Sequence, residues 1–250
     1  MRIMSERERF SEIEPDMVKL AAKMGPAMQT YWNYSRIRFR HQSLLVQRLL
    51  ASDSWPPPIR LLDVGPSFQT RLFERMFGPE LHIDTFGFTD PKFPPPPGGT
   101  HIAYDLNNAV DETSWPKVEP YHLITFFEVI EHLYTAPTQV LRCLGSLLLP
   151  RGLLAVSTPN ALALQNRLKL LLGYHPFERI RETRDNPGHF RESTLQELQE
   201  MGAAAGLETI EATTHNLAST GSLPSHIFRA VSPVLPRNLR KELSIVYRNR

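Results

Sequence analysis

The sequence has one cysteine, Cys143, in 250 residues. One thiol excludes a disulfide framework within the chain and any zinc site built on cysteines, and its neighbours Leu141 and Leu144 in a helical pattern mark it as a small buried side chain. Charge of either sign is not in excess: 28 Lys and Arg face 26 Asp and Glu, a formal +2. No global field therefore points to nucleic acid or to an anionic membrane. No apolar run reaches eighteen residues, and the opening MRIMSERERFSEIEPD lacks the apolar core of a secretory leader. The expectation is a soluble, cytoplasmic chain without a transmembrane segment. Internal repeats are absent, and the length suits a single large domain.

Proline is the residue in excess, at 22. Four stand in a row in PKFPPPPGG, where a stiff connection is favoured over a PxxP docking site.

Residues 14 to 50 carry helical spacing, and Leu44, Leu45, Leu49 and Leu50 make one apolar face. SDSWPPP ends it, since prolines cannot continue a helix. Seven short apolar runs follow: IRLLDVG, LHIDTFGF, THIAYDL, YHLITFFEV, GLLAVSTPN, LETIEATTHN and ELSIVYRN. Helical patterns separate most of them, notably PTQVLRCLGSLLL and RESTLQELQEMGAAAG, with Gly206 as a C-cap. The alternation predicts an α/β, Rossmann-like, doubly wound sheet of seven mostly parallel strands. It divides into an N-terminal helical extension, 1–55, and a domain at 56–250 with a lid-like insertion around 161–186. Ligand sites in such sheets lie just beyond the carboxyl ends of the strands.

The stretch FFEVIEHLYTAP follows the fourth strand. If Glu128 opens a helix, Glu131 and His132 share its face at i+3 and i+4. With His189 of NPGHFRES arriving from elsewhere, two carboxylates and two imidazoles would suit Mg²⁺ or Mn²⁺. Two other readings stay open. Glu131 or His132 serves as a general base on a hydroxyl, or Glu128 caps a helix start while His132 packs. His82, His101 and His122 read as surface histidines at strand ends.

LLDVGPSFQT runs a strand into a helix through Asp-x-Gly, which brings backbone N–H groups and a carboxylate to one crevice. Here the chain resembles the class I S-adenosylmethionine-dependent methyltransferases, whose first motif is Asp-x-Gly-x-Gly-x-Gly. Asp63 and Gly65 match it; Ser67 and Gln69 stand at the second and third glycine places. The resemblance implies a ribose-binding acid after strand two, for which Asp90 is preferred over Asp84. It also implies an adenine site at Asp105 and the Leu106 N–H, and a cofactor wall at Phe127. EVIEHL, LLLPRGLLAVSTPN and GHFRESTLQEL are similar to the subgroup holding ubiquinone-biosynthesis O-methyltransferases and many methylases of sugars and small molecules. The Glu-x-x-Glu-His pattern with a distant His also resembles metal-dependent small-RNA 2′-O-methyltransferases.

These resemblances imply S-adenosylmethionine as cofactor, Mg²⁺ or Mn²⁺ as an accessory, and methyl transfer to a small-molecule or sugar hydroxyl. Glu128, Glu131, His132 and His189 are the expected catalytic or metal-holding groups. An RNA 2′-O-methyltransferase and a non-catalytic scaffold are the alternatives. Two segments bear on the acceptor. NALALQNRLKLLLGYHPFERI would pack its leucines on the domain as a lid, with peripheral membrane contact as the lesser reading. QTYWNYSRIRFRH interleaves Tyr31, Trp32 and Tyr34 with Arg36, Arg38 and Arg40; a cap over the cofactor is favoured there over nucleic-acid binding.

Overall fold

A computed structural model describes residues 6–52, 55–177, 179–183, 188–217 and 235–250, with side chains from residue 10 onward. Residues 178 and 184–186 of the expected insertion lie outside the described residues.

Two helices come first, α1 (Glu6–Lys23) and α2 (Pro26–Ser52). The chain then alternates through β1 (Ile59–Val64), α3 (Phe68–Phe77), β2 (Leu81–Gly87), β3 (His101–Ala103), β4 (Tyr121–Phe127), α4 (Pro137–Ser146) and β5 (Leu148–Pro159). It continues with α5 (Leu164–Leu171), α6 (Leu195–Ala204), β6 (Leu207–His215) and β7 (Glu242–Asn249). All seven expected strands form. They make one sheet in the order β3-β2-β1-β4-β5-β7-β6, parallel except that β7 runs antiparallel to both neighbours.

Both faces of the sheet are covered, which is why its strands read as continuous apolar runs rather than alternating ones. Successive residues go to opposite faces. Leu62, Val64, Ile124 and Phe126 pack with Val140 and Leu144 of α4 and Leu198 of α6. Leu61 and Leu123 pack with Leu45, Val46 and Leu49 of α2 and Phe73 of α3. Burying a leucine fully contributes roughly 1.5–3 kcal/mol, so the α2 face is part of the domain's core. Gly202 of α6 lets that helix close on β7, where a Cβ would stand 2.2 Å from the Tyr247 ring.

A third cluster joins α1 and α2 to α3 through aromatic rings: Trp32, Phe39 and Phe68 lie mutually within 6.2 Å between centroids, and Phe93, from the stiff proline-rich connection, packs edge-on to Phe68. Trp32 is therefore core. Arg36 pairs with Glu14, Arg38 with Glu128, and Arg40 lies over the Phe10 ring. The arginines that suggested nucleic acid have intramolecular partners.

Two expectations need correction. The leucines of the insertion do not pack: Leu168, Leu170, Leu171 and Leu172 are exposed, Leu171 to 82%, and α5 buries only Asn166. The strand-end histidines are not simple surface groups. His122 Nδ1 accepts the Arg60 backbone N–H at 3.0 Å, His101 Nδ1 bonds Thr85 Oγ1, and His82 faces Asp84. Asp84 is itself a structural post. It takes the Thr100 N–H at 2.7 Å, the Tyr121 hydroxyl at 2.8 Å and Arg60 at 3.2 Å; burial opposes its charge, but the Thr100 and Tyr121 donors and the nearby His82 hold its pKa below the usual value. Among the described residues no helix is long and apolar enough to cross a membrane.

Candidate active site

The sheet reverses its strand order between β1 and β4, and there a crevice opens beyond the strand ends. β1 ends at Val64 and hands the chain to Gly65 at φ +78°. A Cβ on Gly65 would lie 2.7 Å from Val129 Cγ2, so both the backbone angle and the close approach of the β4 loop require glycine. Ser67 then caps α3, accepting the Gln69 N–H, while Thr70 Oγ1 accepts the Ser67 N–H. Asp63 lies beneath this turn, 3% exposed. Its two oxygens accept from Thr70 Oγ1 at 2.6 Å and Thr125 Oγ1 at 2.7 Å, and burial, only partly offset by these bonds, pushes its pKa up to about 6.

Gln69, at the third glycine place, does not fill the crevice. Its amide turns toward α2 and donates to Ser43 Oγ at 2.7 Å.

A cavity of about 570 Å³ occupies this crevice. Gly65, Ser67, Asp90, Asp105, Leu106 and Glu128 all line it, so most of the expected cofactor residues are brought together. Asp90 also turns its own loop, accepting the Lys92 N–H, and Asp105 caps the short 3₁₀ turn at Leu106–Val110. Asp63 and Phe127 instead border a space of about 70 Å³ behind Gly65. The exposed ring of Phe88 and the side chain of Tyr104 stand in the crevice wall as well.

A second cavity of about 540 Å³ adjoins the first, and Tyr31, Glu128 and His132 belong to both. Its other walls are polar. They come from α2 (Arg38), α5 (Lys169), the 188–192 segment (His189, Glu192) and the start of β7 (Lys241, Glu242). Tyr31, whose hydroxyl pKa burial raises against Arg38, fits the expected cap from the N-terminal helices.

The helix expected to open at Glu128 is absent. Glu128 is left-handed at φ +57°, a conformation costing about 1–3 kcal/mol in a residue with a Cβ, and only a 3₁₀ turn, Ile130–His132, follows. Glu128 is turned away from the histidines. Its carboxylate accepts from Arg38 Nη1 at 3.0 Å and from Ser157 Oγ at 2.7 Å, and Ser157 in turn accepts from Gln42 Nε2. Burial works against the Arg38 charge, but Glu128 and Glu242 beside it raise its pKa.

Glu131, His132 and His189 do converge, with one ligand atom from each lying within 4.8 Å of the others. Among the described residues this is the one group with metal-binding potential, and it does not include Glu128. Glu131 is 1% exposed and accepts from Thr158 Oγ1 at 2.9 Å. Burial, then the Glu128 charge, push its pKa up to about 8. Its carbonyl accepts the Phe190 and Arg191 N–H groups, which brings His189 into place. His132 Nδ1 lies 2.8 Å from the Gly188 carbonyl. That oxygen can only accept, so Nδ1 carries the proton and Nε2 keeps its lone pair. Burial lowers the His132 pKa, favouring the neutral ring. His189 Nδ1 faces Glu192 Oε1 at 3.1 Å, the carboxylate support found behind metal-ligating imidazoles. The donor set fits a divalent cation.

Sequence reasoning left Arg38 and Glu242 without roles. Neither has a local motif; each reaches the site from a distant element. Arg38 stood within the aromatic and arginine stretch, and that interleaving was the available signal.

The comparisons agree with this geometry. No curated protein matches the sequence. Among solved structures, the chain is similar to a 1,6-didemethyltoxoflavin-N1-methyltransferase from Burkholderia thailandensis, at 13% identity and a TM-score of 0.55, covering 100% of this chain and 92% of that one. It is similar to a Galdieria sulphuraria protein provisionally named a sarcosine dimethylglycine methyltransferase, at 13% identity and 0.54, covering 84% and 85%. The [4+2]-cyclase SpnF is also similar, at 13% and 0.54, covering 84% and 80%; a cyclase among these likenesses means that fold by itself does not assign a reaction. The family match is more specific. Residues 32–212, from inside α2 to β6, match the family described as a methyltransferase domain, and the chain belongs to that family of enzymes.

Proposed function

We propose that the protein is an S-adenosylmethionine-dependent methyltransferase that modifies a hydroxyl of a small molecule, within the subgroup marked by EVIEHL and typified by ubiquinone-biosynthesis and sugar O-methyltransferases. The observation that carries the reading is the pair of adjoining cavities with Tyr31, Glu128 and His132 in their common wall. One cavity is lined by the glycine turn and loop carboxylates suited to a nucleoside cofactor, the other by groups suited to a polar acceptor. The Burkholderia thailandensis relative holds S-adenosylhomocysteine, which supports the same cofactor here.

Bound S-adenosylmethionine supplies a methyl group already activated by its sulfonium, so the protein has to align the acceptor and manage one proton. Asp90 presents carboxylate oxygens to ribose hydroxyls, and Asp105 with the Leu106 N–H faces the adenine. Tyr31 and Met28 cover the crevice from α2. Glu131, His132 and His189 would hold Mg²⁺ or Mn²⁺, and such an ion would supply Lewis-acid polarisation of the acceptor hydroxyl. The fixed tautomer of His132 leaves Nε2 directed to that task, and in the metal-free variant of the mechanism the same lone pair takes the hydroxyl proton. Arg38 holds the Glu128 carboxylate against Ser157, away from the proton-accepting groups.

Calorimetric titration with S-adenosylmethionine, in Mg²⁺ or Mn²⁺ and again in chelator, tests the proposal. Micromolar binding in both conditions is expected, with methyl transfer to hydroxylated acceptors lost in chelator. Absence of cofactor binding in both would overturn it. Equal turnover in chelator would remove the metal and leave the general-base route.

A further inference from the structure

We propose that the segment 162–180, with the end of α5 at its tip, seats the protein on an anionic lipid membrane: its exposed leucines enter the headgroup boundary and its basic side chains meet the lipid phosphates. The inference does not depend on which acceptor the enzyme uses.

Seven of the thirteen large apolar side chains exposed among the described residues fall within 162–180, a concentration that singly scattered surface hydrophobics do not produce. Their exposure is built in. At the base of α5, Ala163 is buried and the Asn166 amide donates to the Asn160 and Ala161 carbonyls at 3.3 Å. The helix is thus anchored at one end while Leu168, Leu170, Leu171 and Leu172 stand in solvent. The last three are consecutive, and Leu172, at the C-cap, still donates its N–H to the Leu168 carbonyl. Successive helical residues turn by about 100°, so these leucines point around more than half of the helix end rather than along one stripe. A protein partner or a closing lid covers a stripe, whereas a fluid hydrocarbon boundary surrounds an apolar tip. A lid would also meet the wrong wall, since the cavity beside α5 presents Arg38, Glu192 and Glu242, groups that leucine would strip of water without replacing a hydrogen bond.

The charge around the leucines selects the kind of lipid. Residues 161–186 hold five basic and three acidic side chains, an excess equal to the formal +2 of the whole chain. The basic groups flank the apolar tip. Arg167 and Lys169 of α5 each donate to a backbone carbonyl, of Leu162 and of Pro176, which leaves their charge intact, and Arg179 is exposed next to Ile180. Their stems can lie along apolar surface and carry the charge to phosphate level. Gly173, at φ +78°, turns the chain after the helix, and Tyr174 follows it into solvent with the apolar body and polar tip that suit the headgroup level. At eight residues α5 is too short to span a bilayer, so the segment lies on the surface.

The experiment is flotation of the full chain with vesicles of phosphatidylcholine mixed with phosphatidylglycerol, beside vesicles of phosphatidylcholine alone. The chain should float with the anionic vesicles, bind the neutral ones about tenfold less, and come off the anionic ones as salt rises. Leu171→Ser and Leu172→Ser together should lower the partition coefficient by about tenfold or more while the melting temperature stays where it was. A second measurement locates the contact: the added fluorescence of a Tyr174→Trp chain should be quenched by vesicles whose lipids are brominated just below the headgroup. No flotation, flotation indifferent to the two leucines, or Tyr174→Trp fluorescence left unquenched on bound vesicles overturns the proposal. So does reversible self-association, abolished by the double substitution, in a chain that does not float, because a second copy then covers the leucines.

Discussion

The two adjoining cavities are built in opposite ways. The first is local: the turns after β1, β2 and β3 supply backbone, one required glycine and three aromatic rings, and charged side chains contribute only at Asp90, Asp105 and Glu128. The second is assembled from α2, the β4 loop, α5, the 188–192 segment and the start of β7, and its working surface is charged side chains. Short motifs can encode much of the first, because its turns at 65–67, 88–93 and 104–107 each follow directly on their own strand. The second exists only after the sheet has closed.

If the comparison holds, the largest effect comes from the charged cavity. His132→Ala should lower turnover by about 10²–10⁴-fold with cofactor affinity nearly intact; equal loss of both would merge the cavities into one binding unit. Arg38→Met leaves the Glu128 carboxylate buried without its cation, and chemical denaturation should report a loss of about 3–5 kcal/mol. In the first cavity, Gly65→Ala imposes a positive φ and a clash with Val129. It should weaken cofactor binding by the equivalent of about 1–3 kcal/mol, while the divalent ion still binds at Glu131, His132 and His189.

The pH test separates the two carboxylates. Asp63 keeps its proton to about 6 and Glu131 to about 8 in the folded chain, whereas both lose it near 4 when unfolded. Their protonated forms therefore favour the fold most at low pH, and in chelator stability falls as pH rises through these two values. Glu131→Gln should make the decline shallower across the whole interval from about 4 to 8, leaving between about 6 and 8 the share of Glu242, whose pKa burial also pushes up to about 8. Melting temperatures across this range would show it. Mg²⁺ or Mn²⁺ affinity should rise over the same upper interval, since binding displaces the Glu131 proton. The smallest effect is Leu171→Ser, within about 0.5 kcal/mol, because that side chain is outside the core.

The same contrast explains what could be read from the sequence. All seven strands were legible because both sheet faces are buried and the runs are apolar throughout. Glu131, His132 and His189 were legible as a group because two are adjacent and the third follows a distinctive turn. Glu128 was misread. Helical spacing predicted a shared face, but Gly65 and Val129 crowd the β4 exit, and the chain leaves it in a left-handed step that no periodicity signals. Lys241 and Glu242 were invisible, since their relevance depends on β7 running antiparallel between β5 and β6. The leucines of α5 imitated a core face because composition does not say whether a partner surface exists.

The placement of β7 has a consequence for how the molecule comes into being. β6 is made before β7 but borders no other strand. On the ribosome β5 therefore presents a bare hydrogen-bonding edge, and β6 has nowhere to dock, until residues 242–249 emerge and slot between them. The half of the sheet that carries the glycine turn can order early, whereas the wall of the second cavity at Lys241 and Glu242 is completed in a late step. Arrested synthesis short of β7 should thus yield a nascent chain that recognises the nucleoside poorly organised on one side only, and that relies on chaperones to keep the β5 edge from pairing with other chains.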